Sequence, residues 1–255
     1  MRFKLKLEVL PEIKGRAIPI NYQYELSAAI YKIIANSDVI YSKWLHDNGF
    51  DSKNKIFKLF SYSRLIIPQY RIDKERERLI IHSNVVEWYV SFLPEKSTKL
   101  FIKGLFEEQI IEISDSVSGV VFQVREVQLM PDLGDVMKTE FETISPICIS
   151  HRKDNGKIDY LSPEMSNYKD GLLTGLLSRY RALYGLDYNE HAYIDFQLIG
   201  KAKPVLVKIK ANTPAQTFVK GYIYRFKLSL PDKLMQIAYH SGLGEKCSMG
   251  FGMIK

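Results

Sequence analysis

Polar and apolar residues alternate from Arg2 to Val9, which predicts a half-buried strand. The period then lengthens. Leu26, Ile30, Ile33 and Ile34 recur at helical spacing within Tyr24 to Asn36, and Pro11 to Asn21 reads as the loop before it. Ser37-Asp38 offers a cap for a second helix running toward Asn48, and Gly49 stops it. Alternation returns in the aromatic-rich run Phe57 to Leu65, a predicted strand. Arg71 to Arg78 is densely charged and suits a hairpin tip. Leu79 to Ser83 and Glu87 to Phe92 read as strands, and Pro94 opens a helix through Leu100, Phe101, Leu105 and Phe106. Gln109 to Ile113 and Val120 to Leu129 are strands again.

The same order then recurs. Phe141 to Ser150 is a predicted strand, Asp154-Asn155-Gly156 a hairpin turn, and Lys157 to Leu161 the returning strand. Leu172, Leu176, Leu177 and Tyr180 mark a helix over Asn167 to Tyr184, ended by Gly185. Tyr193 to Ile199, Val205 to Ala211 and Phe218 to Leu230 follow as strands, and Pro231-Asp232 starts a last helix. A strand, helices, strands, a helix and a strand, given twice, predict an α+β chain of two tandem ferredoxin-like domains. Residues 1–130 and 131–255 are the expected halves, with Pro131 to Val136 as linker. No repeat of fixed period is present in the sequence.

Composition adds a charge argument. The 255 residues carry a net charge of +7, with 46% hydrophobic content, enough for a real core. No acidic residue lies between Phe196 and Pro231, where Lys201, Lys203, Lys208, Lys210, Lys220, Arg225 and Lys227 interleave with strand-forming residues. A single-sign run on strands suits a polyanion backbone. Cys148 and Cys247 are far apart and form no Cys-x-x-Cys pair, which fits reduced thiols in a cytoplasmic protein. Neither a signal peptide nor a transmembrane run is expected, so no membrane partner is.

Among five histidines, His46 is predicted at a helix end before a glycine, where imidazolium is favoured. His82 falls in a strand pattern with room to pack. His151 precedes a turn, His191 lies in a loop, and His240 adjoins the last glycine-rich stretch. No Asp-x-Asp pair, His-x-x-x-His spacing or Gly-x-Ser-x-Gly elbow is present. No metal or cofactor is therefore expected. RNA cleavage by such a chain would use the RNA's own 2′-hydroxyl, with histidine for proton transfer and lysine for developing charge.

The final stretch, Gly242-Leu-Gly-Glu-Lys-Cys-Ser-Met-Gly-Phe-Gly252, has two readings from its residues alone. One is a tight turn against a sheet. The other is a shaped loop whose backbone N–H groups, with Lys246 and Ser248, face an anion. Its full wording, Gly-Leu-Gly-Glu-Lys-x-Ser-Met-Gly-Phe-Gly-Met, resembles the signature loop of the RAMP superfamily. Within it, the chain resembles the CRISPR repeat-RNA processing endoribonucleases. That resemblance implies two ferredoxin-like halves and a catalytic tyrosine, histidine and lysine. The matching positions are Tyr31 in Ala-Ile-Tyr-Lys, His46 in Trp-Leu-His-Asp, and Lys58 in Phe-Lys-Leu-Phe-Ser-Tyr-Ser.

The resemblance implies cleavage of CRISPR precursor RNA within its repeats, leaving a 2′,3′-cyclic phosphate and a 5′-hydroxyl. The acid-free basic run and the glycine-rich loop together put Lys201, Lys203, Lys208, Lys210, Arg225, Gly242, Gly244, Lys246, Ser248, Gly250 and Gly252 on the RNA side. The partners implied are CRISPR repeat RNA and, beyond it, other effector subunits, with the chain a monomer or homodimer. A non-catalytic repeat-RNA-binding subunit is the alternative, because some members of the family only bind. A generic RNA-recognition module lacks support, since the aromatic Lys/Arg-Gly-Phe/Tyr-x-Phe strand motif is missing.

Overall fold

The computed structural model describes all residues except 54, 134–138, 154–155 and 212–213. β1 (Arg2–Leu10) leads through one helical turn, α1 (Pro11–Lys14), and a short β2 (Ala17–Pro19) into α2 (Gln23–Ser37) and α3 (Val39–Asp47). A small hairpin of β3 (Phe50–Ser52) and β4 (Lys55–Phe57) precedes β5 (Phe60–Tyr62). A second hairpin, β6 (Tyr70–Asp73) and β7 (Arg78–Ile81), leads to β8 (Val85–Phe92), α4 (Glu95–Glu108), β9 (Ile110–Ser114) and β10 (Gly119–Leu129).

The main sheet of this half runs β5-β8-β1-β10-β9, antiparallel throughout. β1 is central because Phe3, Leu5, Leu7 and Val9 all point into the core under α2 and α4. Each such side chain contributes about 1.5–3 kcal/mol on burial. Gly104 lets α4 cross α2 closely, since a Cβ there would lie 1.8 Å from the Ile33 carbonyl oxygen.

The second half contains β11 (Glu140–Glu142), the hairpin β12 (Ser150–Arg152) and β13 (Ile158–Tyr160), α5 (Tyr168–Tyr184), β14 (Asp195–Ile209), β15 (Thr217–Ser229) and α6 (Asp232–Ser241). Its sheet runs β11-β15-β14. Ile254 bridges Thr143, just after β11, and takes the place of the fourth strand. Both halves therefore show the split βαβ arrangement, a tandem ferredoxin-like fold. Phe141, Leu172, Leu176, Phe226, Leu234 and Ile237 lie in the second core.

Four readings of the pattern need correction. The loop expected at Pro11 to Asn21 contains α1 and β2. The strand expected at Phe57 to Leu65 breaks at Lys58 and Leu59, because Leu59 adopts a left-handed φ of 54°. The strand expected at Phe141 to Ser150 shrinks to β11 with isolated bridges at Thr143 and Ile147, since Ile144 and Ser145 bond Met253 instead. The two strands expected between Tyr193 and Ala211 are one, β14, with a register shift between Ile199 and Lys203 that accommodates Gly200 at φ 72°. Asp154 and Asn155 of the expected turn, and part of the expected linker, lie outside the described residues.

Candidate active site

Tyr31 and Lys58 both meet His46, Tyr31 at its ring and Lys58 at its backbone carbonyl, where α2, α3 and the end of β4 come together. α3 starts cleanly because the Asp38 carboxylate accepts the Tyr41 N–H at 2.8 Å. It ends at Gly49, where the N–H groups of Asn48 and Gly49 both donate to the Trp44 carbonyl. Gly49 sits at φ 68°, and a Cβ there would lie 2.6 Å from the Phe57 carbonyl oxygen. Glycine therefore both stops the helix and lets the end of β4 close over it. That closure delivers Lys58, whose Nζ donates to the His46 carbonyl at 2.6 Å. Leu59 turns the chain next, and Phe60 drops into the core.

Tyr31 reaches the same place from α2. Its ring meets His46 edge-on at 5.0 Å between centroids and Phe60 at 5.7 Å. The Ser42 hydroxyl donates to the Tyr31 carbonyl at 2.7 Å and pins α3 to α2. Burial pushes the Tyr31 hydroxyl well above the ordinary phenol range, so at neutral pH it stays a donor. Burial lowers the Lys58 ammonium, with the Asp47 carboxylate opposing.

The His46 side chain remains 66% exposed, open to a large substrate. Its Nδ1 lies 2.8 Å from Asp47 Oδ1. The hydrogen bond from His46 lowers Asp47, and an ionised carboxylate only accepts. Nδ1 therefore carries the proton, and in the neutral ring Nε2 keeps its lone pair for an outside proton.

The glycine-rich stretch lies elsewhere, in the seam between the two halves. The N–H groups of Leu243, Glu245 and Gly252 donate to the carbonyls of Gly252, Cys148 and Pro146. Met253 N–H donates to Ser145 Oγ at 2.8 Å. These donors, expected to face an anion, are spent inside the protein. Gly242, Gly244, Gly250 and Gly252 are buried, all at positive φ. Gly250 packs on Gln23 and Tyr62, and Gly242 on Ser61, so the loop is a packing element across the seam. Lys246 stays exposed and Ser248 half-exposed at its rim.

The hairpin β14–β15, acid-free beyond Asp195, divides its cations between two faces. Tyr222, Tyr224, Phe226 and Leu228 bury one face of its base, leaving Arg225 and Lys227 opposite, both toward Glu140. Nearer the tip, Val207, Ile209 and Val219 turn the other face inward. Lys208 projects away from them and pairs with Glu77 at 2.8 Å. Lys201, Lys203 and Lys210 are exposed. Beyond Asp195 the stretch has no acid of its own, but acids from other elements meet it.

The remaining histidines separate cleanly. His82, expected to have room to pack in a strand, is exposed just past β7. His151 and His191 are exposed. His240 is buried, with Nδ1 3.3 Å from Ser91 Oγ and Nε2 3.2 Å from Asp132 Oδ1. Burial lowers it to about 4, which keeps it neutral and structural. Cys148 and Cys247 are free and buried.

The family model described as CRISPR-associated protein Cas6, N-terminal, matches residues 17–128, and that described as CRISPR associated protein Cas6, C-terminal, matches 130–255. The chain belongs to the Cas6 family. The CRISPR-associated endoribonuclease Cas6 1 of Methanocaldococcus jannaschii is 30% identical over 261 residues, spanning 100% of this chain and 93% of the relative. The CRISPR-associated endoribonuclease Cas6 of Pyrococcus furiosus is 27% identical over 258 residues, spanning 100% of this chain and 89% of the relative. A solved structure titled as a Cas6-related gene from Pyrococcus furiosus superposes with a TM-score of 0.81 at 27% identity, covering 100% of this chain and 97% of that one.

Two residues of this Cas6 chain escaped the sequence reading. Asp47 follows His46 directly, and a carboxylate beside a candidate base was the available signal. Arg179 sits one turn past Leu172 and Leu176 on the buried face of α5, and a lone arginine on an apolar stripe was its signal.

Proposed function

We propose that this chain is an endoribonuclease that cuts CRISPR precursor RNA within its repeats. The observation that carries this is the convergence of Tyr31, His46 and Lys58 at one exposed point of a Cas6-family chain. Each residue then has a role fitted to its surroundings. Nε2 of His46, with Nδ1 tied to Asp47, takes the proton from the RNA 2′-hydroxyl. The 2′-oxygen attacks the adjacent phosphorus, the P–O5′ bond breaks, and the departing 5′-oxygen takes a proton from solvent water. Lys58 carries positive charge beside the developing phosphorane, and the neutral Tyr31 hydroxyl orients the reacting groups. The products are a 2′,3′-cyclic phosphate and a 5′-hydroxyl.

The RNA backbone runs along cations rather than into the loop's backbone. Lys201, Lys203, Lys210 and Arg225 line its exposed path on the hairpin, with Lys246 and Ser248 at the rim of the seam. Lys208, already paired with Glu77, contributes once that pair opens. Gly242, Gly244, Gly250 and Gly252 serve the RNA indirectly, by shaping the seam.

The test is incubation with repeat RNA from the same organism in excess EDTA. The expected result is a single cut per repeat, because no step of this mechanism calls on a metal ion. RNA bound but left intact would make the chain a repeat-binding subunit instead.

A further inference from the structure

The β3–β4 hairpin joins His46 to Lys58, and the other half of the protein holds it. Arg179, on α5, is only 3% exposed. Its Nη2 donates to the Gly244 carbonyl, and to Cys247 Sγ at 3.1 Å. Its guanidinium carbon lies 5.4 Å from the Phe57 ring centre, and Phe57 immediately precedes Lys58. Among the described residues no carboxylate pairs with Arg179. A buried cation without a counter-ion is costly, so its retention calls for a geometric reason. The geometry here is a bridge between the glycine-rich loop on one side and the end of β4 on the other. A second tether acts at the hairpin's far end, where Lys53 lies 3.6 Å from Asp187, itself bonded by Arg181 at 2.5 Å.

We propose that Arg179 is a positioning residue for RNA cleavage: it holds Phe57, and so Lys58, in register with His46, which makes the cleavage site depend on the second half of the chain. This rests on the endonuclease reading above. A lysine displaced by about 1 Å costs about 10²-fold in rate, because stabilisation of the phosphorane depends on placement. RNA affinity is set mainly by the cations elsewhere and should not follow.

The experiment compares wild type, Arg179→Met, Lys58→Ala and the double variant, by single-turnover cleavage at saturating repeat RNA and by RNA affinity. Arg179→Met is expected to slow cleavage about 10²-fold with Kd changed by less than about twofold. On the Lys58→Ala background it should add almost nothing, because both act through one group. A wild-type rate, or a full additional loss in the double variant, overturns the proposal; the second would mean a general structural role. Should Arg179→Met fail to fold, Phe57→Leu takes its place. It keeps an apolar side chain but removes the ring, and the same slowing with the same non-additivity is expected. A wild-type rate for Phe57→Leu overturns the proposal too. If wild-type protein cuts no repeat RNA, the endonuclease reading itself has failed, an outcome distinct from an active wild type matched by an equally active Arg179→Met.

Discussion

His46→Ala slows single-turnover cleavage of repeat RNA by about 10²–10⁴-fold, the usual cost of removing a general acid or base. RNA affinity stays near the wild-type value, since the exposed imidazole is one contact among many. The size of the effect follows from the site's geometry. Nδ1 is committed to Asp47, so Nε2 is the one ring nitrogen free to take a proton. On the proposed mechanism water must serve without it, with Lys58 and Tyr31 left to stabilise and orient. Those two residues act with His46 as a unit, so losses on combining the substitutions fall short of the sum. His240→Ala is the control. That ring is buried between Ser91 and Asp132, so its loss should lower stability and leave the rate of the folded fraction intact. Rapid cleavage by His46→Ala alongside dead His240→Ala would reverse the assignment.

Gly244→Val has the largest expected effect on folding. Gly244 sits at φ 79°, and a Cβ there would lie 2.5 Å from the Cys148 carbonyl oxygen and 2.9 Å from Ile147 Cγ2. A β-branched residue at positive φ is strained by about 1–3 kcal/mol. Overpacking against backbone adds about 1–3 kcal/mol. Together these come to about 2–6 kcal/mol, a large share of the about 5–15 kcal/mol that holds an ordinary domain folded. At about 2–4 °C per kcal/mol for a chain of this size, the melting temperature should drop by roughly 10 °C. The Arg179 bridge ends on the Gly244 carbonyl, so residual folded protein should also cleave slowly. An unchanged melting temperature would mean the seam yields easily and the glycine is not required there.

The long periodic elements were legible because one residue period decides them. Leu26, Ile30 and Ile33 could only be a buried helical face, and β1 could only be a half-buried strand. Elements whose partners are distant in sequence were not. The loop's glycines announce positive φ, but whether its N–H groups face a ligand depends on Cys148 and Pro146, about a hundred residues earlier. β11 ends early for a similar reason, because the chain's last residues capture its continuation. At the candidate active site, the residue types were readable at Tyr31, His46 and Lys58. Their meeting was not, because it depends on a left-handed Leu59 and on a glycine that lets β4 close over α3. Arg179 is further from reach, since its value comes from Phe57 in the other half.

The central claim is that the RNA supplies its own nucleophile to a site built from His46, Lys58 and Tyr31. The most direct test is a repeat RNA with a single 2′-deoxy sugar immediately upstream of the cut, compared with the all-ribose RNA at saturating protein. The deoxy RNA should bind with the same affinity and remain intact while the ribose RNA is cut to a 2′,3′-cyclic phosphate. Cleavage of the deoxy RNA at the same bond would contradict the account, because no 2′-oxygen would be there to attack.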